Sequence, residues 1–187
     1  LREADLPFEE EVIPLDTQAA TTRLPEVSPS GRVPALEVDE TLTIWDSLAI
    51  AEWVTETTDV GWPRDPTRRA IARSACAEMH SGFSALRRAM PMDLHGRHPT
   101  PPIEGELSRD IRRVLSLWES LRARAASGPY LLGEWTHVDS FFAPVVTRFV
   151  TYGVDLPDFA RAYSDLVLAR PSVQVWFADA KADPWRL

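Results

Sequence analysis

The stretch SPSGRVPALEVDETLTIWDSLAIAEWV, Ser28 to Val54, decides the fold. It opens on loop chemistry, because the Pro and Gly of Ser28-Pro29-Ser30-Gly31 punctuate regular structure. Ala35-Leu36-Glu37-Val38 and Leu42-Thr43-Ile44-Trp45 then alternate like strands around the short connection Asp39-Glu40-Thr41, which predicts an antiparallel hairpin. From Ser47 the run Leu48, Ala49, Ile50, Ala51, Trp53, Val54 predicts a largely buried helix. Val33-Pro34 therefore stands before the first strand and Asp46-Ser47 after the second.

Each pair carries chemistry. An X-Pro bond is the one peptide bond for which cis is cheap, and cis geometry at a strand entry would turn the backbone of Val33 away from the sheet, towards an extended peptide. A plain trans proline at a strand start is the other reading. The N-terminus of an apolar helix offers free N–H groups and partial positive charge to a carboxylate. Ser47 adds a hydroxyl for that carboxylate, and Asp46 a negative group for an adjacent ammonium, as an α-amino acid end requires. An ordinary helix cap is the alternative.

Upstream, Asp5-Leu6-Pro7 ends a stub of helix, and Phe8 to Leu15 predicts an edge strand because of Val12-Ile13 and Pro14. Residues 17–27 read as a weak helix. Downstream, Thr58 to Pro66 has linker composition, with Gly61, Pro63 and Pro66. The remainder is helical. Ile71, Ala75, Met79, Phe83, Leu86 and Met90 predict one long amphipathic helix ending at Met90-Pro91. A second helix follows through Leu107, Ile111, Val114, Leu115, Trp118 and Leu121. Thr136 and Asp139 fit a capping box ahead of a helix that is apolar nearly all round, with Phe141, Phe142, Val145, Val146, Phe149 and Val150. Pro144 inside that helix predicts a kink. Two shorter helices, from Pro157 and Pro171, close the chain.

Composition narrows the function classes. The 187 residues, 44% hydrophobic, suit one compact domain or two small ones. The formal net charge, 20 − 28 = −8, argues against a general nucleic-acid binder, which needs a positive surface. The single cysteine, Cys76, excludes an internal disulfide and a multi-cysteine zinc site. It reads as a buried, inert thiol in a reducing compartment. His80, His95, His98 and His137 are too scattered for a zinc pattern, so no metal is expected. No apolar run is long enough to span a bilayer, and no signal-peptide pattern opens the chain. These features predict a soluble, cytoplasmic protein.

The pattern SPSGRVPAL, a hairpin, then IWDSLAIAEWV resembles the glutathione S-transferase family, and LLGEWTHVDSFFAPVVTR resembles that family's central-helix segment. AEMHSGFSALRRAMPMD, Ala77 to Asp93, resembles its bacterial members. The resemblance implies an α/β thioredoxin-like N-terminal domain over residues 1–57, a linker at 58–66 and an all-α C-terminal helical bundle over 67–187. It also implies that the first strand, most of the first helix and the catalytic residue that activates the glutathione thiol lie upstream of Leu1. By position, Val33-Pro34 would take the cysteinyl part of glutathione, Asp46 and Ser47 the γ-glutamyl part, and Arg32 the glycyl carboxylate.

The implied activity is attack of the glutathione thiolate, bound as co-substrate, on a small electrophile. A pocket between the domains would hold that electrophile, with His80, Phe83, Arg87, Met90 and Met92 as wall candidates. The same residues in the helical face are also accounted for by core packing or salt bridges. Glutathione-dependent isomerisation, disulfide reduction and a non-catalytic protein-interaction module are the rival readings. A homodimer is expected because the family usually forms one.

Overall fold

The structure is a computed structural model that describes residues 1–15 and 17–182. It divides into two compact units, Leu1–Gly61 and Trp62–Leu187.

The first unit begins with a 3-10 turn, Arg2–Ala4, closed by Asp5 in the left-handed region at φ 50°. Thr17 caps α1 (Gln18–Val27) by accepting the Ala20 amide, and α1 is succeeded by β1 (Leu36–Asp39), β2 (Leu42–Ile44) and α2 (Ser47–Thr58). The two strands pair antiparallel with Leu36 opposite Ile44 and Asp39 opposite Leu42. Asp39 fixes their turn: its Oδ1 accepts the Thr41 and Leu42 amides at 2.7 and 3.1 Å and the Thr41 hydroxyl at 2.7 Å.

The edge strand predicted over Phe8 to Leu15 does not form. A strand needs a ladder partner for its backbone groups, and the sheet among the described residues consists of β1 and β2 alone. The segment runs instead as unpaired chain with Phe8, Val12 and Leu15 exposed. Glu11 ties it to α1 through a fork of hydrogen bonds from Arg23, at 2.9 and 2.8 Å.

The second unit holds α3 (Pro66–Ser81), α4 (Ser84–Ala89), α5 (Gly105–Arg122), α6 (His137–Thr151), α7 (Asp158–Leu168) and α8 (Pro171–Ala182). The two units divide between Gly61 and Trp62. Helix α2 runs on to Thr58, and Pro66 already opens α3. Trp62 is buried against the helical unit, edge-on to His137 at 4.7 Å between centroids and with the Arg73 guanidinium over its ring.

Helix α6 is the core of this unit. Its apolar faces bury Val138, Phe142, Val145, Val146 and Phe149, and it passes through Pro144 as one continuous helix. The Trp118 ring of α5 meets Phe142 and Phe149 of α6 and Tyr163 of α7 edge-on, at 5.9, 5.8 and 4.9 Å. No helix among the described residues is long and apolar enough to cross a membrane.

The one long helix predicted from Ile71 to Met90 is two helices. Helix α3 stops at Gly82, and Phe83 takes a left-handed conformation, φ 58°, before α4 begins. Such a backbone is unfavourable for a residue with a Cβ, yet it drives the Phe83 side chain into the core. The freed backbone groups find side-chain partners. Arg87 Nη2 and Nε donate to the Met79 and Gly82 carbonyls at 2.7 and 3.2 Å. Asp110 of α5 accepts the Ala85 and Leu86 amides of α4 on one oxygen, both at 3.0 Å. Because Asp110 acts as the cap that α4's own N-cap residue, Phe83, does not provide, Asp110→Ala is expected to cost about 1–2 kcal/mol. Urea unfolding followed by far-UV circular dichroism checks this; an unchanged midpoint would show that α4 does not need the cap.

Candidate functional site

The register of the hairpin brings the two sequence features together. Since Leu36 pairs with Ile44, the residues just before β1 and just after β2 lie at the same end of the ladder. Val33-Pro34 and Asp46-Ser47 each stand two or three residues from that pair, and so become neighbours although a dozen residues of chain separate them.

The Val33–Pro34 bond is cis, as is the Trp45–Asp46 bond, which no sequence signal announced. Val33 is 48% exposed, and none of its backbone groups joins a hydrogen bond within the described residues. Its N–H and C=O are thus open to an extended partner. Arg32 is exposed and likewise has no hydrogen bond or ion pair among the described residues, so its guanidinium is available to a carboxylate.

Asp46 is the N-cap of α2. Its Oδ1 accepts the Leu48 amide at 3.0 Å and its carbonyl accepts the Ile50 amide at 2.9 Å. The ordinary cap reading is therefore correct for Asp46, and it is compatible with the other one: a carboxylate with one oxygen on an amide has further lone pairs for an ammonium. Ser47 is the first helical residue and half-buried, where the helix dipole favours an incoming anion.

A cavity of about 720 Å³ in the first unit is lined by Leu6, Phe8, Ile13, Val33, Leu36 and Trp53, among others. Asp46 and Ser47 do not line it. Six acids do, namely Glu9, Glu10, Glu11, Glu37, Asp39 and Glu40, and their repulsion makes it a poor host for an anion.

The residues expected at a second-substrate pocket fall into three groups. Met90 is fully buried and Phe83 nearly so, both in the core of the helical unit. Arg87 holds the α3–α4 break as described. His80, in the last turn of α3, and Met92 are exposed. Asp110 escaped the sequence reading because its partners lie 24 and 25 residues away.

In the helical unit the capping box forms. Asp139 Oδ2 accepts the Thr136 amide at 2.8 Å and hydroxyl at 3.1 Å, and the Asp139 amide turns back on Thr136. Its other oxygen accepts the Leu131 amide and the Tyr163 hydroxyl, both at 3.2 Å. Burial pushes the carboxyl up to about 6, although all these hydrogen bonds pull the other way.

The chain resembles known proteins over nearly its whole length. A family profile of the glutathione S-transferase N-terminal domain matches residues 1–57. A solved glutathione transferase homolog from Burkholderia GL BGR1, with bound glutathione, is 27% identical, covers 97% of this chain and 88% of its own, and superposes with a TM-score of 0.73. Residues 1–57 are thus similar to a glutathione S-transferase N-terminal domain, and the chain as a whole is similar in fold to glutathione transferases. Its fold is the family's thioredoxin-like N-terminal part followed by an all-helical part. A probable maleylacetoacetate isomerase from Caenorhabditis elegans is 28% identical over 156 residues, 81% of this chain and 72% of that protein. A maleyl pyruvate isomerase, described as a bacterial zeta-class glutathione S-transferase, shares the fold at TM-score 0.71 and 21% identity, over 99% and 91% of the two chains.

Proposed function

We propose that this chain is a glutathione S-transferase that binds glutathione at the end of the β1–β2 hairpin and brings its thiol to a small electrophile. The observation that carries the reading is the register of Leu36 with Ile44, which sets the open backbone of Val33 beside Asp46 and Ser47. Glutathione matches these groups in order. Its γ-glutamyl end has an ammonium for Asp46 and a carboxylate for Ser47 and the α2 N-terminus. Its cysteinyl amide has the donor and acceptor for Val33, and its glycyl carboxylate suits Arg32. In a conjugation, the thiolate sulfur forms the bond to carbon while the leaving group departs with the electron pair.

Glutathione-dependent isomerisation is the second reading, favoured by the isomerase name of the relative from Caenorhabditis elegans. In that case the sulfur would be released unchanged after each turnover. A cytoplasmic, bacterial homodimer active in detoxification completes the proposal.

Ser47→Ala tests the site. A hydrogen bond to a charged group contributes about 1.5–3 kcal/mol, so glutathione affinity should fall roughly 10- to 150-fold. Titration calorimetry at neutral pH reads the dissociation constant directly. Unchanged affinity would remove Ser47 from the site, and absence of glutathione binding in the unmodified protein would end the transferase reading altogether.

A further inference from the structure

The turn over residues 28–31 leads directly into Arg32 and Val33, and its sequence specifies it. Serine at the first position, proline at the second and glycine at the fourth are residues that a β-turn favours. The turn closes accordingly, with the Gly31 amide donating to the Ser28 carbonyl at 2.9 Å. Gly31 takes a left-handed conformation, φ 64°, which a residue without a Cβ adopts freely.

Ser28 is 2% exposed and is the one buried polar side chain of the first unit among the described residues. Pro29, Ser30 and Arg32 beside it are exposed. Loops run over the surface, and a buried hydroxyl calls for a hydrogen-bond partner. Ser28 has partners on three groups. Its amide donates to the Leu24 carbonyl at 2.9 Å and so caps α1, its carbonyl accepts Gly31, and its hydroxyl shares a hydrogen bond with the Ser30 hydroxyl at 3.1 Å. The residue thus fastens the turn to α1 at one end and closes it at the other.

A fixed turn also fixes where the chain leaves it. Arg32 is the next residue, and among the described residues its side chain has no hydrogen bond or ion pair of its own, so it takes its position from the turn. A segment ordered before a ligand arrives spares the complex the cost of ordering it.

We propose that Ser28 is a positioning residue for glutathione: buried in the turn, it holds Arg32 ready for the glycyl carboxylate without touching the ligand itself. This rests on the transferase reading and deepens it, because preference for the complete tripeptide then depends on a side chain outside the contact set.

The readout is the ratio of affinities for glutathione and for γ-glutamylcysteine, which lacks the glycyl carboxylate, both titrated by calorimetry into the full chain at constant ionic strength. The unmodified protein should hold glutathione more tightly, and Arg32→Met should level the two affinities. Ser28→Ala should shrink the ratio roughly two- to tenfold, the range that one hydrogen bond contributes. Ser47→Ala is the control: it acts on the γ-glutamyl end that both peptides carry, so it weakens both and leaves the ratio unmoved. General loosening of the fold would likewise weaken both alike. Ser30→Ala removes the partner of the Ser28 hydroxyl from an exposed position, and it decides the matter should Ser28→Ala, read by far-UV circular dichroism, not fold. Equal affinities in the unmodified protein, a preference that outlives Arg32→Met, or a ratio unmoved by the deciding serine variant overturns the role of Ser28. Absence of glutathione binding in the unmodified protein ends the transferase reading and this proposal with it, whereas intact binding with an unmoved ratio ends this proposal alone.

Discussion

Asp139→Ala is expected to destabilise the helical unit by about 4 kcal/mol, from two stranded main-chain donors at about 1–3 kcal/mol each. The Thr136 and Leu131 amides both end on this carboxyl, which is 0% exposed, so water cannot replace it. The loop that delivers the Leu131 amide is itself pinched by Gly128 and Gly133, whose φ values of 80° and 106° and backbone-to-backbone approach leave no room for a Cβ. Tyr163 stays a donor, because burial, followed by the Asp139 charge, pushes its hydroxyl well above the usual range. Urea unfolding at pH 7 measures the loss; a change under about 1 kcal/mol would mean that the hub is replaceable.

The pH dependence has a definite sign. Burial raises Asp139 from its usual 3.8 to about 6 in the folded chain, so between these values the folded state holds a proton that the unfolded state has released. Its contribution is fully present below about pH 4 and is lost as pH rises through about 6. Two units correspond to roughly 3 kcal/mol. Other acids act in the opposite sense, since the hydrogen bond from Arg23 holds Glu11 below the ordinary carboxylate range. Comparison with Asp139→Asn, which cannot titrate, isolates the effect: the stability difference, unmodified minus variant, should fall between pH 4 and 7. A difference that rises instead would show that the hydrogen bonds outweigh the desolvation.

Trp118→Ala should cost about 3–5 kcal/mol, the usual range for deleting a large buried aromatic ring. The ring is fully buried and meets three aromatic partners edge-on, from two other helices, and such contacts add to the area term. Trp118→Phe is expected to be far milder, because it also deletes the indole N–H, which is buried without a partner. Thermal unfolding of both variants checks the contrast. If the two were equally destabilised, size of the side chain would not be what the core requires.

What was legible in the sequence was local. Alternation in Leu36–Val38 and Leu42–Ile44 fixes the hairpin. Asp46 reads as a cap because its partner, the Leu48 amide, is two residues away, and Thr136 with Asp139 reads as a box because the spacing is three. The order of Val33-Pro34, hairpin and Asp46-Ser47 makes the candidate site visible for the same reason: a tight antiparallel pair returns the chain to where it began. Periodicity also found the faces of α5 and α6.

The break between α3 and α4 was beyond that reach. Ile71 to Met90 keeps its three- and four-residue spacing straight across the break, since periodicity records which face is buried and not whether the axis continues. Asp110 and Arg87 decide the matter, Asp110 through partners up to 25 residues distant. Phe8 to Leu15 fails as a strand for a related reason: side-chain propensity states a willingness to pair, whereas a ladder requires a neighbour. Local hydrogen-bond chemistry is written in the order of residues, and that determined the hairpin, the caps and the glutathione-side candidates. Which distant side chain answers a freed backbone group is settled only when the helices pack.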